Sequence, residues 1–149
     1  MSSNISVFGL TLSLIASITF PTGVVITAFA DDQDPFDLEE IIIGAAAMGQ
    51  NGDMVKYSTP AIIPVSLNII PGSPSDELLS ILMQNNMVGL NKSSKNDQIT
   101  LTGVYPSNLK TVYLSDGIIV SGMPGPSGAS SGRQKTKPFK FNFGKVLFI

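Results

Sequence analysis

The 149-residue sequence has no cysteine, no histidine and no tryptophan. Without cysteine there is no disulfide framework, no thiol nucleophile and no thiolate metal site. Without histidine, the commonest general base and the commonest transition-metal ligand are missing too. Charge is scarce: 13% of residues are Asp, Glu, Lys or Arg, about half the ~25% of an ordinary soluble chain. So little charge beside 43% hydrophobic residues excludes global disorder. Nine basic against eleven acidic residues give a net charge of −2. The chain as a whole therefore lacks the basic footprint of a sequence-independent nucleic-acid binder. These absences disfavour an enzyme before any motif is read. What remains is one domain, residues 1–149, long enough to bury a sizeable core.

No charged side chain precedes Asp31, and residues 5–29 are strongly apolar. Ala28-Phe29-Ala30 even imitates a leader-peptidase site. A leader needs a positive start, however, and the first basic residue is Lys56. The period is also wrong for a helix in lipid. Phe8, Leu10, Leu12, Leu14, Ala16, Ile18 and Phe20 fall on even positions, with Thr11, Ser13, Ser17 and Thr19 on odd ones. Such alternation predicts a strand with one buried face. Pro21 and Gly23 should then turn the chain into a second strand over 24–29. The expectation is a retained N-terminus with no membrane span.

Farther along, Asp31, Asp32, Asp34, Asp37, Glu39 and Glu40 place six of the eleven acids within ten residues. Gln50-Asn51-Gly52-Asp53 is a turn signal of type I′ character, joining apolar residues 41–48 to a return strand over 54–57. Ile63, Val65, Leu67 and Ile69 alternate with polar residues, and Pro60 and Pro64 push that strand toward a sheet edge. One helix is expected over about 74–86. Ser73 is its N-cap, Pro74 its first residue, and Asp76 and Glu77 face the positive end of its dipole. Leu78, Leu79, Leu82 and Met83 form its apolar stripe, and Asn85-Asn86 end it. Residues 92–97 read as a polar loop. Ile99-Thr100-Leu101-Thr102 alternates, and Ser115-Asp116-Gly117 predicts a hairpin turn between 112–114 and 118–120. Ten of the twelve residues 121–132 are Gly, Ser or Pro, an exposed loop. Phe139, Phe141 and Phe143 close the chain as a strand with an inward aromatic face. The count is seven to nine strands and one helix.

None of these patterns matches a catalytic or metal motif. An EF-hand loop beginning at Asp32 would keep Asp34, but Phe36 takes a ligand position, Asp37 the required Gly and Ile43 the required Glu. The Gly-rich stretch 122–132 lacks the G-K-[ST] of a phosphate loop and runs into Arg133-Gln134. Arg133, Lys135, Lys137, Lys140 and Lys145 are five of the nine basic residues. An acidic block and a basic block on one chain can meet head to tail between copies, a heterologous arrangement that closes into rings.

Several segments together resemble the small tail tube proteins of tailed bacteriophages, most like those of contractile tails. They are Phe29-Ala-Asp-Asp-Gln-Asp-Pro-Phe-Asp-Leu-Glu-Glu-Ile41, Met48-Gly-Gln-Asn-Gly-Asp-Met54, Ile69-Ile-Pro-Gly-Ser-Pro-Ser-Asp-Glu77, Leu114-Ser-Asp-Gly-Ile-Ile-Val-Ser-Gly-Met-Pro124, and the final Arg133…Lys135-Thr136…Phe139-Lys-Phe-Asn-Phe143. The resemblance implies a mainly β fold, sandwich- or barrel-like, with one flanking helix and a long hairpin. It implies no enzymatic activity and no cofactor. It implies hexameric rings stacked into a tube, in the phage tail of a virion made in the host cytoplasm, through which double-stranded DNA passes without specific binding. Tail sheath, tape-measure and baseplate proteins would be the partners. The hairpin tip, Gln50, Asn51, Gly52 and Asp53, would contact the neighbouring ring. Asp31, Asp32 and Asp34 would meet Arg133, Lys135 and Lys137 between subunits.

Two other classes compete. A secreted or surface β-domain, adhesin- or pilin-like, would export the 5–29 region. An acid-dependent hydrolase would use carboxylates among residues 31–40, although the absence of Trp leaves little to stack a sugar.

Overall fold

The alternation at the N-terminus becomes strand β1 (Thr11–Ala16), whose Leu12, Leu14 and Ala16 are fully buried. The computed structural model describes residues 9–29, 35–128 and 130–149. Phe8 of the expected alternation, and Asp31, Asp32 and Asp34, lie outside these residues. β1 pairs with β2 (Phe20–Ile26), and the turn between them falls at 17–19. Pro21 and Gly23 do not make it. They sit inside β2, where two residues of β1 span four of β2: Leu14 faces Val24 while Ala16 faces Phe20. Gly23, at φ +88°, carries that irregularity. The earlier turn has a tertiary cause: the Asp97 carboxylate accepts the Ile18 and Thr19 amides.

The remaining elements are β3 (Phe36–Leu38), β4 (Gly44–Met48), β5 (Met54–Ser58), β6 (Ile63–Ile69), α1 (Pro74–Asn86), β7 (Ile99–Tyr105), β8 (Lys110–Gly122) and β9 (Lys137–Phe148). Seven strands form one antiparallel sheet in the order β2-β1-β7-β8-β9-β6-β3, and β4-β5 stand apart as a two-stranded hairpin. The sheet curls over its own core. Phe36, on edge strand β3, rests on Gly103 of β7, where an added Cβ would lie 2.6 Å from the ring. Strands that far apart in sheet order touch only if the sheet bends round on itself. Beyond the end of β2, Phe29 bridges to Ile69, and the Ile70 amide donates to the Ala28 carbonyl at 3.0 Å. The result is the expected mainly β, barrel-like architecture with one helix. Strand β3 had no sequence signal, since three residues amid acids show no period; its Phe36 is buried all the same.

α1 forms as its sequence predicts. Ser73 Oγ accepts the Asp76 amide at 3.2 Å, Pro74 opens the first turn, and Leu79 and Leu82 are fully buried. At its C-terminus the free carbonyls find partners: Lys92 Nζ donates to Gln84 O, the Lys95 amide to Asn85 O at 3.0 Å, and Asn86 Nδ2 to Leu82 O at 2.9 Å. Pro64 sits just past the reach of β3, which covers β6 only from Val65 to Leu67. Its missing N–H is thus tolerated near the edge.

Two turn expectations are corrected. At 49–53 the hairpin is present, but Asn51 keeps a negative φ and only Gly52 is left-handed, at +85°. Gly52 N donates to Gly49 O at 3.0 Å and Gly49 N to Asp53 O at 2.7 Å. That is a three-residue loop with a glycine bulge, rather than a two-residue type I′ turn. At Ser115-Asp116-Gly117 there is no turn. β8 runs straight through, with Asp116 at φ +59° in a bulge against β7. The reason is β9. Gly117 faces Phe143, and a Cβ there would lie 2.3 Å from the ring. Asp-Gly here makes room for an aromatic ring. Phe139, Phe141 and Phe143 all point inward and are essentially fully buried, as their spacing predicts.

Gly117→Ala should therefore destabilise the fold by about 1–3 kcal/mol through overpacking. Gly52→Ala, with open space around it, should cost only the strain of its positive φ. Denaturant midpoints of the two variants would check this order.

Candidate functional site

Three surface features follow from this architecture: the hairpin, the outer face of the curled sheet, and the chain's charged blocks. In the hairpin, Met48 faces Met54 and Ala46 faces Lys56, while Ala47 faces Val55 and Ala45 faces Tyr57. Directly opposed residues share a face and successive residues alternate. One face therefore presents Met48 and Met54, the other Val55 and Tyr57. All four are 53–70% exposed, and Ile42, Ile43 and Ile62 at the base are more than 65% exposed. The Val55–Tyr57 side carries no charged residue, the Met48–Met54 side also carries Lys56 and Ser58, and no described part of the core covers either side. An isolated two-stranded hairpin is marginal in water by itself. Apolar surface of this extent marks a contact with another molecule.

The predicted tip residues Gln50, Asn51, Gly52 and Asp53 come together at the end of this hairpin, all exposed. Arg133 and Lys135 are exposed in the loop before β9, where the Lys135 amide donates to Ser127 O at 2.6 Å. Lys137 is different. It is buried, and its ammonium lies 2.8 Å from Asp76 Oδ1, 3.3 Å from Ser80 Oγ and 5.8 Å from the centre of the Phe139 ring. Gly72 N donates to the other Asp76 oxygen at 2.8 Å. Lys137 is thus used inside the subunit, tying α1 to β9, and it does not present its charge to a neighbour. Of the acidic block, Glu39 and Glu40 are exposed and Asp37 is half-buried; Asp31, Asp32 and Asp34 lie outside the described residues. Among the described residues no three carboxylates converge on a common point, and no helix is long and apolar enough to cross a membrane.

The outward face of the sheet is mixed: Ile15, Val25, Tyr113, Ile118 and Leu147 are exposed among polar residues. Register places Ser13 beside Thr102, Thr100 beside Ile15, Ser115 beside Lys145, and Asn142 beside Pro64 and Ile118. A further row runs Ser121, Lys140, Ser66 and Asp37. Short hydroxyl and amide side chains alternate there with apolar ones, and the fixed charges Lys140, Lys145, Asp37 and Asp116 are few and of both signs.

The residue that sequence reasoning missed is Asp97. Its neighbours in sequence are those of a polar loop, yet it is only 2% exposed. Oδ1 accepts the amides of Ile18 and Thr19 at 2.7 and 2.8 Å; Oδ2 accepts Thr19 Oγ1 at 2.5 Å and Asn86 Nδ2 at 2.8 Å. The Asp97 amide returns a bond to Asn86 Oδ1 at 3.0 Å, and Asn85 Nδ2 donates to Thr19 Oγ1 at 3.2 Å. One carboxylate thereby joins the β1–β2 turn, the end of α1 and the start of β7. Burial alone would raise its pKa. The Thr19 hydroxyl and amide, the Asn86 amide group and the Ile18 amide outweigh that and hold it below the ordinary value. No spacing rule links Thr19, Asn86 and Asp97, so the sequence carried no signal for this cluster.

A lowered carboxylate pKa adds stability above the unfolded value, and that stability is lost as pH falls through the folded one. Asp97→Asn should accordingly be less stable than the native chain by about 1–3 kcal/mol near neutrality. The gap should stay constant down to about pH 5 and shrink below pH ~4. Thermal melts of both chains across pH would show it. Lys137→Ala should cost about 3 kcal/mol by stranding the Asp76 charge, whereas Lys135→Ala should change the melting temperature little.

A family model described as tail fiber protein gp32 matches residues 3–147, nearly the whole chain. Among solved structures, a chain of the PVC extracellular contractile injection system's sheath/tube terminator structure is similar over 100% of this chain and 99% of its own, with 15% identity and a TM-score of 0.57. A chain of the PVC sheath-tube complex is similar over 100% and 93%, at 18% identity and a TM-score of 0.54. A chain of the anti-feeding prophage cap structure is similar over 100% and 93%, at 14% identity and a TM-score of 0.53. At such identities these likenesses are of fold. No curated protein sequence matches. The match over almost every residue, on a fold shared with phage-like injection particles, makes this chain a phage tail-related protein belonging to the tail fiber protein gp32 family.

Proposed function

We propose that the chain acts as one structural domain that assembles with copies of itself into stacked rings, the tube of a contractile phage tail. The observation that carries this reading is the β4–β5 hairpin, which exposes large apolar side chains on both faces, beside Lys56 and Ser58 on one of them, and which no described residue of its own subunit covers. Seven large apolar side chains there present several hundred Å² of apolar surface, on the order of one side of a standard interface. Association removes it from water. Ring closure would also join the β2 edge of one copy to the far edge of the next, removing both edges from solution.

The rows of neutral polar side chains on the outward face support a wet lumen. Ser13, Ser66, Thr100, Thr102, Ser115 and Asn142 offer neutral contacts to a passing duplex. Lys140 and Lys145, offset in part by Asp37, leave few sites able to hold a phosphate, so DNA slides without binding specifically. In this reading the exposed Arg133 and Lys135 meet acidic residues of the next copy, fixing register more than strength. The solved relatives by fold belong to sheath-tube, cap and baseplate assemblies, which favours sheath and baseplate components as partners, with a tape-measure protein inside. The protein would reside in the virion after synthesis in the host cytoplasm, and it would be structural, without enzymatic activity. The family's description favours one other placement, at the tail fibres.

Negative-stain electron microscopy of the purified chain, dilute and concentrated, tests the proposal. Hollow rings or tubes are expected; dispersed monomers at every concentration would count against it. Met48→Asp should melt within about 0.5 kcal/mol of the native chain because its site is exposed, yet abolish the assemblies.

A further inference from the structure

Two dipeptides in this chain carry the same latent chemistry. Asn51 is the only asparagine followed by glycine, and Asp116 the only aspartate followed by glycine. In either, the glycine amide nitrogen can reach the carbonyl carbon of the preceding side chain and close a five-membered imide, because glycine has no Cβ to block the approach. Asn51 and Asp116 are both exposed, so exposure of the side chain does not separate them. The backbone does. Gly117 is buried in the ladder between Ile99 of β7 and Phe143 of β9, and Gln98 Nε2 donates to Asp116 Oδ1 at 2.8 Å. Closing an imide there means parting β8 from its neighbours. Gly52 is exposed, and an added Cβ there would meet nothing within 4 Å. Its amide donates to Gly49 O at 3.0 Å, inside a loop whose two-stranded hairpin stands apart from the main sheet. A hairpin of two strands is marginal in water by itself, so this loop opens at little cost.

We infer that Asn51-Gly52 is a self-modification site, at which the hairpin tip changes from amide to carboxylate with water as its one co-reactant. Asparagine is among the chemically labile side chains, and here the fold leaves it free to react. The Gly52 nitrogen gives up its proton to solvent base and attacks Asn51 Cγ. The new C–N bond closes the imide, and the side-chain nitrogen takes a proton from water and leaves as ammonia. Water then opens the ring. Attack at Cγ returns the ordinary main chain with aspartate at 51; attack at the main-chain carbonyl leaves isoaspartate, whose main chain runs through the β-carbon. Either product adds one negative charge beside Asp53, and the second also lengthens a loop of three residues. At Asp116-Gly117 the strand pairings hold the same reaction back. The chemistry belongs to the free subunit, so it stands apart from the assembly reading and does not depend on it.

Opening the imide adds one solvent oxygen at either dipeptide, so heavy-oxygen water marks both. The full native chain, kept dilute, is aged in mildly alkaline heavy-oxygen water, and the label is located by peptide mass spectrometry. The same chain unfolded in guanidinium chloride gives each dipeptide its rate without structure. The ratio of folded to unfolded rate should be at least ten-fold higher at 51–52 than at 116–117. Equal ratios would overturn the inference. So would a folded chain that gains no label at residue 51 while the unfolded chain gains it. As a second readout, Asn51→Gln, whose longer side chain would have to close a larger ring, should keep the native melting temperature and lose the mass gain of deamidation. A mass gain that persists at the native rate in this variant would place the conversion elsewhere and reject the site.

Discussion

Three large rings in this fold rest on glycines. Phe143 lies against Gly117, Phe139 against Gly122, and Phe36 against Gly103; a Cβ at any of the three glycines would stand 3.0 Å or less from the ring. At these three places the ring occupies the space that a side chain on the facing strand would take, so the facing residue is glycine. The first two pairs lock β8 to β9, the longest strands in the chain. The third brings an edge strand across the core onto β7 and sets the curl. The barrel-like shape, and with it the division into a buried inner face and an exposed outer one, depends on this packing.

Buried charge finishes what the rings begin. α1 is held at each end by a carboxylate. Asp76 at the first turn pairs with Lys137 on β9, and Asp97 gathers the helix C-terminus with the β1–β2 turn. Replacing such pairs with apolar residues can be neutral for stability, and their clearer effect is to specify one arrangement of the parts. Here the helix is pinned in position against β8.

The hairpin stands outside both devices. Its β4 strand contains three alanines, so it adds little bulk of its own, and its apolar residues split between two faces. Val55 and Tyr57 occupy a face without charge, while Met48 and Met54 share the other with Lys56 and Ser58. No described residue of the subunit covers either face, and apolar exposure of this extent is what marks the hairpin as a contact surface.

Local pattern was enough for much of this architecture. Period-two alternation marked β1, β6 and β9 and their inward faces, because burial of one face imposes that period directly. The cap, the proline and the early acids marked α1, because they answer free amides and a dipole within a single turn. Asn-Gly marked the hairpin, because the chain must reverse within three residues there. What depended on distant partners was not legible. Asp-Gly at 116–117 reads as a turn until Phe143 is known to lie over it. Lys137 reads as one of five surface cations until Asp76 is placed beside it. Asp97 reads as loop until Thr19 and Asn86 converge on it across separations of 78 and 11 residues. Sequence spacing encodes the neighbours a residue meets along its own strand or helix; which faces come together across the core is decided only when the whole sheet closes.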